Sequence, residues 1–298
     1  MEFEIAGTFH FIAEEIVHMT HHLVHGDEPL KTKGEYLKRW RKKDKSHVTG
    51  LDVEIEKRVL EIVRHKFPGM PILAEEQNPN MPESDLFVSL DPVDGTSRLI
   101  AGRSEWGPSL AIVAKGEPIA GFVNQPVLGL AFAGMKTGGV QSYDYEKAAW
   151  FDLDMRNRPR HPLFGADLGL NSPEEYWDEV RRYAEKTNMS FTNLPAVATG
   201  IAVLLGQIDS AWSYTFHHWD MAALAVLLEE IGGVIECLDG SPIPWTSNTK
   251  LPPMLIAASR EIAERMRILI ASPVEEPPAA HFQQLRHGGR KSISHLQE

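Results

Sequence analysis

The chain has 298 residues, 43% hydrophobic and 24% charged, with 41 acidic against 30 basic side chains and a formal charge of -11. A chain of this length buries roughly three-quarters of its unfolded surface, enough for one large domain or two ordinary ones without covalent staples. Cys237 is the only cysteine, so an intramolecular disulfide or a cysteine-cluster metal site is excluded and a reducing compartment is the expected location. Net acidity argues against a nucleic-acid polymer as partner. The longest apolar stretch, Ala196 to Leu205, is about half the ~20 residues of a membrane helix, which excludes a spanning role. Met1 to Gly7 includes Glu2 and Glu4 and lacks the basic and apolar segments of a signal peptide, so the chain is expected in the cytoplasm.

Residues 3 to 24 read as a helix, with Phe3, Ile5, Phe9, Phe11, Ile12, Ile16, Val17, Met19 and Leu23 near a 3.6 period. A basic loop follows: Lys31 to Lys45 holds eight bases against two acids, leaving 22 bases against 39 acids in the rest. Asp52 to Lys66 is a second helix with Ile55, Val59, Ile62 and Val63 on one stripe, a cap at Thr49 or Asp52, and a stop at Pro68-Gly69. Strands are expected at Pro71 to Ala74 and Leu86 to Leu90, then an antiparallel meander over Ser109 to Ala114, Ile119 to Asn124 and Leu128 to Gly134. Helices at 173 to 186, 197 to 207 and 220 to 231 alternate with strands at 234 to 238 and 254 to 258. The expected organisation is an α+β lobe over 1–147, an α/β lobe over 148–271 and a mobile tail over 272–298, whose Phe282 and Leu285 could alternatively pack on a neighbouring subunit.

The most informative segment is Leu90-Asp91-Pro92-Val93-Asp94-Gly95-Thr96. A strand delivers Asp91, proline stiffens the turn, and Gly95 lets backbone approach whatever the carboxylates hold. Two carboxylates this close repel unless a cation neutralises them, and all-oxygen donors suit a hard ion such as Mg²⁺. The same residues also fit an acidic turn capping a helix. Glu75-Glu76 ends another strand and reads equally as a solvated turn, and Asp220, after Trp219, reads equally as a helix cap.

Together these segments resemble the inositol monophosphatase family of Mg²⁺-dependent small-molecule phosphatases. Val48-Thr49-Gly50-Leu51-Asp52 is similar to its Val-Thr-x-x-Asp, Ala74-Glu75-Glu76 to its Gly-Glu-Glu, Asp91 to Thr96 to its Asp-Pro-Ile/Val-Asp-Gly-Thr, and Trp219-Asp220-Met221-Ala222-Ala223 to its Trp-Asp-x-Ala-Ala/Gly. The resemblance implies a layered αβαβα sandwich, a homodimer or homotetramer, and a small phosphorylated substrate. It implies one Mg²⁺ on Glu75, Asp91 and the Val93 carbonyl, a second on Asp91, Asp94 and Asp220, and a third, weaker ion near Glu75. Thr96 and Glu75 would orient and deprotonate a water, Asp52 would hold the Thr96 hydroxyl, and the Gly95 and Thr96 amides would hold phosphate oxygens. Ser213 and Asp220 would face the rest of the substrate.

Departures from the family pattern concern specificity. The family's Gly-Ser/Thr-Ala-Ala segment corresponds to Leu194-Pro195-Ala196-Val197 without a gap, or to a register using Thr199-Gly200 with one. Ser213 stands where inositol phosphatases carry a carboxylate, a loss on the order of 1.5 to 3 kcal/mol for hydroxyl recognition. Ala74 replaces glycine, and Ser97-Arg98-Leu99 replaces Thr-Asn-Phe; Arg98 either faces substrate or makes an ion pair. The basic loop either attracts a second phosphate or is solvated. His217-His218 point apart on a strand or loop, and His21-His22 carry no metal-ligand spacing; Trp212, near Ser213, is the tryptophan expected to line the pocket. Sugar or cyclitol monophosphates lead as substrates, ahead of adenosine bisphosphate, histidinol phosphate and fructose 1,6-bisphosphate. A metabolite-binding protein without catalysis is the alternative of another class.

Overall fold

Two apolar helix stripes build the first layer. The computed structural model describes residues 2–26, 38–42, 46–153, 163–166, 174–187, 190–247 and 249–271. In α1 (Glu2–His25), Ile5, Phe9, Ile12, Ala13, Ile16, Val17 and Leu23 are buried. A hairpin of β1 (Arg39–Arg41) and β2 (His47–Thr49) leads into α2 (Gly50–Lys66), whose Leu51, Ile55, Val59, Leu60 and Val63 pack with those of α1. Thr49 is the N-cap of α2, and Asp52 is its reciprocal partner rather than the cap.

Seven strands follow: β3 (Ile72–Ala74), β4 (Leu86–Asp94), then, after the short α3 (Thr96–Ile100), β5 (Gly107–Ala114), β6 (Glu117–Gln125), β7 (Leu130–Met135), β8 (Gly139–Asp144) and β9 (Ala149–Asp152). They form one sheet in sequence order, antiparallel except for the parallel β3–β4 pair. The expected meander is present and longer, because Tyr143 pairs with Trp150 across β8–β9. A division at 148 therefore falls inside that hairpin.

The second sheet has the order β11-β10-β12-β14-β13, from β10 (Leu163–Ala166), β11 (Ser190–Asn193), β12 (Ser210–Ser213), β13 (Val234–Cys237) and β14 (Met254–Ala257). Interleaved are α4 (Glu174–Thr187), α5 (Ala196–Leu204), α6 (His218–Glu230) and α7 (Arg260–Ala271). Helices α5 and α6 lie between the two sheets, α1 and α2 cover the outer face of the first, and α4 and α7 cover the second. This is the expected αβαβα order. The tail over 272–298 lies outside the described residues, and among those described no helix is long and apolar enough to cross a membrane.

Burial on both faces makes α6 apolar almost all round, with Met221 to Leu228 buried throughout. Alternation in β4 sends Phe87 and Ser89 toward α6 and Val88 and Leu90 toward α1 and α2. The backbone of α6 approaches the first sheet closely at Gly121, where an added Cβ would lie 2.3 Å from the Ala223 carbonyl oxygen. Gly121→Ala is expected to destabilise the fold by about 1–3 kcal/mol through overpacking, read as a lower denaturant midpoint at unchanged slope.

Candidate active site

Asp91 and Asp94 are three apart, so a regular strand would send them to opposite faces. A register shift between Asp91 and Asp94 breaks that alternation in β4. Both side chains consequently meet Asp220 from the first turn of α6, and one oxygen from each of the three carboxylates lies within 4.8 Å of the others. Asp91 is 2% and Asp94 7% exposed. Backbone amides hold each carboxylate in place: Val93 N donates to Asp91 at 2.8 Å, Val197 N to Asp94 at 2.9 Å, and His217 N to Asp220 at 2.6 Å.

Such crowding raises proton affinity. Burial, then Glu75, Asp220 and Asp94, push the Asp91 carboxyl well above the usual range. Burial also raises Glu75, against the lowering effect of Lys42. Glu76 is pushed up to about 7 by burial and by Glu75.

Lys42 answers this charge. Its Nζ is 2.7 Å from Glu75 Oε1 and 2.5 Å from Glu76 Oε1. Burial opposes protonation of Lys42, yet Glu75 and Glu76 outweigh it and hold the ammonium. The expectation of a basic loop is thus corrected in part: Arg39–Arg41 is a strand, its side chains exposed, and Lys42 at its end enters the site. The remainder of that stretch, at 31–37 and 43–45, lies outside the described residues.

On the other flank the Thr96 hydroxyl is 2.8 Å from Asp52 Oδ1 and 3.1 Å from the Val93 carbonyl oxygen. Asp52 is fully buried, accepts from Thr49 N at 2.9 Å and from the Thr49 hydroxyl, and has its pKa raised by burial. Gly95 sits between Asp94 and Thr96 with φ 85°. A side chain there would be strained and would meet the Glu105 carbonyl oxygen at 2.8 Å and Pro195 at 3.0 Å.

Pro195 and Val197 touch this turn, so Leu194-Pro195-Ala196-Val197 borders the site. Gly200 serves helix packing instead, its position crowded by Leu224 of α6. Ser213 is brought to the end of β12 but is fully buried, with its hydroxyl 3.1 Å from that of Thr215. That burial is at odds with a direct role in holding substrate. Trp212 is likewise buried, stacked on Phe164 at 5.2 Å, and does not line the pocket. The Arg98 guanidinium donates to the Asn193 carbonyl oxygen at 2.6 Å.

Two positioning residues escaped sequence reasoning. Glu56, buried on α2, accepts from Glu76 N at 2.9 Å and Gln77 N at 2.7 Å, fixing the turn that presents Glu75. Its only signal is its place four residues after Asp52, on the same helix face. His218 bridges Ser89 Oγ through Nδ1 and the Trp245 carbonyl oxygen through Nε2, each at 2.8 Å, which ties the start of α6 to β4. A carbonyl only accepts, so Nε2 carries the proton and Nδ1 accepts from Ser89.

A layered αβαβα fold with a carboxylate cluster where β4 meets the start of α6 defines a phosphatase class. The chain belongs to the inositol monophosphatase family, whose profile matches residues 10–276. Among curated proteins it is 27% identical to the inositol-1-monophosphatase ImpA of Mycolicibacterium smegmatis, over 78% of this chain and 83% of that one. It is also 27% identical to the bifunctional phosphatase IMPL2 of Arabidopsis thaliana, over 75% of this chain and 66% of that one. Among solved structures, the extragenic suppressor protein suhB of Bartonella henselae superposes with a TM-score of 0.71 at 18% identity, covering 91% of this chain and 99% of that one.

The His218 bridge has a pH signature. Burial lowers its pKa from 6.5 to about 4, so the folded state prefers the neutral ring. Its contribution is complete above 6.5 and is lost as pH falls through 4, amounting to about 3 kcal/mol. Asp52, Glu56, Glu76 and Asp91, with raised values, act in the opposite sense. The wild type is therefore expected to lose about 3 kcal/mol more than His218→Gln between pH 7 and 4, measured by urea unfolding of both proteins.

Proposed function

We propose that the protein is a Mg²⁺-dependent phosphatase of small polar phosphomonoesters, with sugar or cyclitol phosphates as the leading substrates. The observation that carries this reading is the meeting of Asp91, Asp94 and Asp220 beside the Thr96–Asp52 hydrogen bond. The donor set fits a hard divalent cation: all donors are oxygen, Asp91 and Asp94 are buried, and burial with the neighbouring carboxylates raises the proton affinity of Asp91. Glu75, Asp91 and the Val93 carbonyl would hold one Mg²⁺, Asp91, Asp94 and Asp220 a second, and a third near Glu75 would share that carboxylate with Lys42. When bound, the ions supply charge neutralisation, polarisation of the phosphoryl oxygens and acidification of the attacking water.

The chain's own groups do the rest. Asp52 draws the Thr96 proton toward itself, which turns a Thr96 lone pair outward to accept a hydrogen bond from the attacking water. Glu75, as the carboxylate beside Asp91, is the base that takes the water's second hydrogen bond. The amides of Gly95 and Thr96, in the first turn of α3, have no intrahelical partners and would receive phosphate oxygens. Attack is in line and needs no covalent enzyme intermediate.

Lys42 favours a second reading of the substrate, a bisphosphate such as an adenosine bisphosphate, because its ammonium stands beside the cluster at the end of a strand with Arg39 and Arg41. Ser213, with its hydroxyl turned to Thr215, argues against myo-inositol 1-phosphate. The reading further includes a cytoplasmic homodimer or homotetramer, resting on the single cysteine and the family resemblance.

Asp91→Asn is expected to show no turnover above background with any substrate, because it removes the ligand common to both ions; near-wild-type activity would overturn the assignment. Phosphate release across sugar, cyclitol, nucleotide and histidinol phosphates, with Mg²⁺ titrated, identifies the substrate. Absence of turnover at every Mg²⁺ concentration, with an aryl phosphate included, would indicate a binding protein instead.

A further inference from the structure

Read as the adjacent pair His21-His22, α1 offers no ligand spacing; the helix instead brings His21 to His25, one turn on. Residues four apart share a helix face, and the two imidazole centroids are 4.7 Å apart with the rings tilted by 42°. Both side chains are exposed on the last turns of α1, which covers the outer face of the seven-stranded sheet. We propose that His21 and His25 form a binding site for a borderline transition-metal cation of the Zn²⁺ type, separate from the carboxylate cluster.

The tautomer of His25 supports this assignment. Its Nε2 lies 3.1 Å from the Pro126 carbonyl oxygen. A carbonyl only accepts, so Nε2 carries the hydrogen and the Nδ1 lone pair is left to ligate. A backbone carbonyl on the far nitrogen is the arrangement that orients metal-binding imidazoles and raises their basicity. His21 is steadied from the side by the Tyr145 ring at 5.1 Å, and the Tyr145 hydroxyl is itself engaged, donating to Asn124 Oδ1 at 3.0 Å.

Protonation does not compete strongly at His21. Partial burial, then the neighbouring His25 and His18, lower its affinity for a proton, so the ring is neutral and its lone pair free at neutral pH. His18 occupies the preceding turn but is turned to Tyr143, 3.3 Å away, and to Glu14, 3.7 Å away. The site therefore has two protein ligands and positions open to water. Two imidazoles select Zn²⁺, Cu²⁺ or Ni²⁺ and bind Mg²⁺ poorly, whereas the all-oxygen cluster selects Mg²⁺. An ion held here would fasten the end of α1 to the turn after β6, since His25 already reaches Pro126.

The test titrates Zn²⁺ calorimetrically into the full-length protein with saturating Mg²⁺ present, comparing wild type, His21→Ala, and His21→Ala/His25→Ala. The tail histidines His281, His287 and His295 are retained in every variant and set the background. One additional equivalent of Zn²⁺ is expected in the wild type, weakened by about tenfold or more in the single variant and lost in the double variant. Zn²⁺ should also raise the melting temperature of the wild type and not of the double variant. Because His25→Ala also removes the Pro126 contact, the His21→Ala protein, which keeps it, is the decisive arm. Equal affinity and stoichiometry in wild type and His21→Ala would overturn the proposal.

Discussion

Gathering carboxylates in a place with little water is unfavourable unless positive charge is brought to them, and the structure is organised around that constraint. Asp91, Asp94 and Asp220 come from two elements that the core holds together, and Glu75 comes from a turn that Glu56 fastens. The countercharge arrives from outside the core, on Lys42 at the end of a two-stranded hairpin. The acidic groups are thus fixed by sheet, helix and backbone amides, while the cation that meets them belongs to an element paired only with itself. That asymmetry suits a site in which one cation is exchanged for another.

The parts legible in the sequence were those carried by local pattern. Asp91 to Thr96 is a contiguous run whose proline and glycine dictate a turn, and the stripe of α2 repeats over four turns. Glu75 and Asp220 were legible through motifs placed in order along the chain. What escaped depended on distant partners. Lys42 sits among seven other bases, a context that reads as solvated, and only the fold places it against Glu75, 33 residues away. Strands β10, β11 and β12 have four residues each, too few to show alternation, and exist because they pair with one another and with β14. Helix α7 was hidden by its place next to the proline-bearing tail.

Specificity looks different once positions replace residue types. Ser213 reads as a lost acceptor in sequence, and in the fold it is a buried hydroxyl closing a turn with Thr215. Arg98, read as facing substrate or pairing with an acid, also joins α3 to the end of β11. Both belong to the frame. Lys42, by contrast, reaches the cluster from the hairpin, which forms no part of the seven-stranded sheet.

Helix α6 carries Asp220 at its start and serves as the interior of both sheets along the rest of its length. Its composition is consequently answerable to two demands at once, since a change that loosened the core would also shift the Asp220 carboxylate. Gly121 and Gly200, which receive it on either side, share that burden. The interior and the carboxylate cluster therefore form one mechanical unit, in which the position of an acidic group is decided by apolar side chains several turns away.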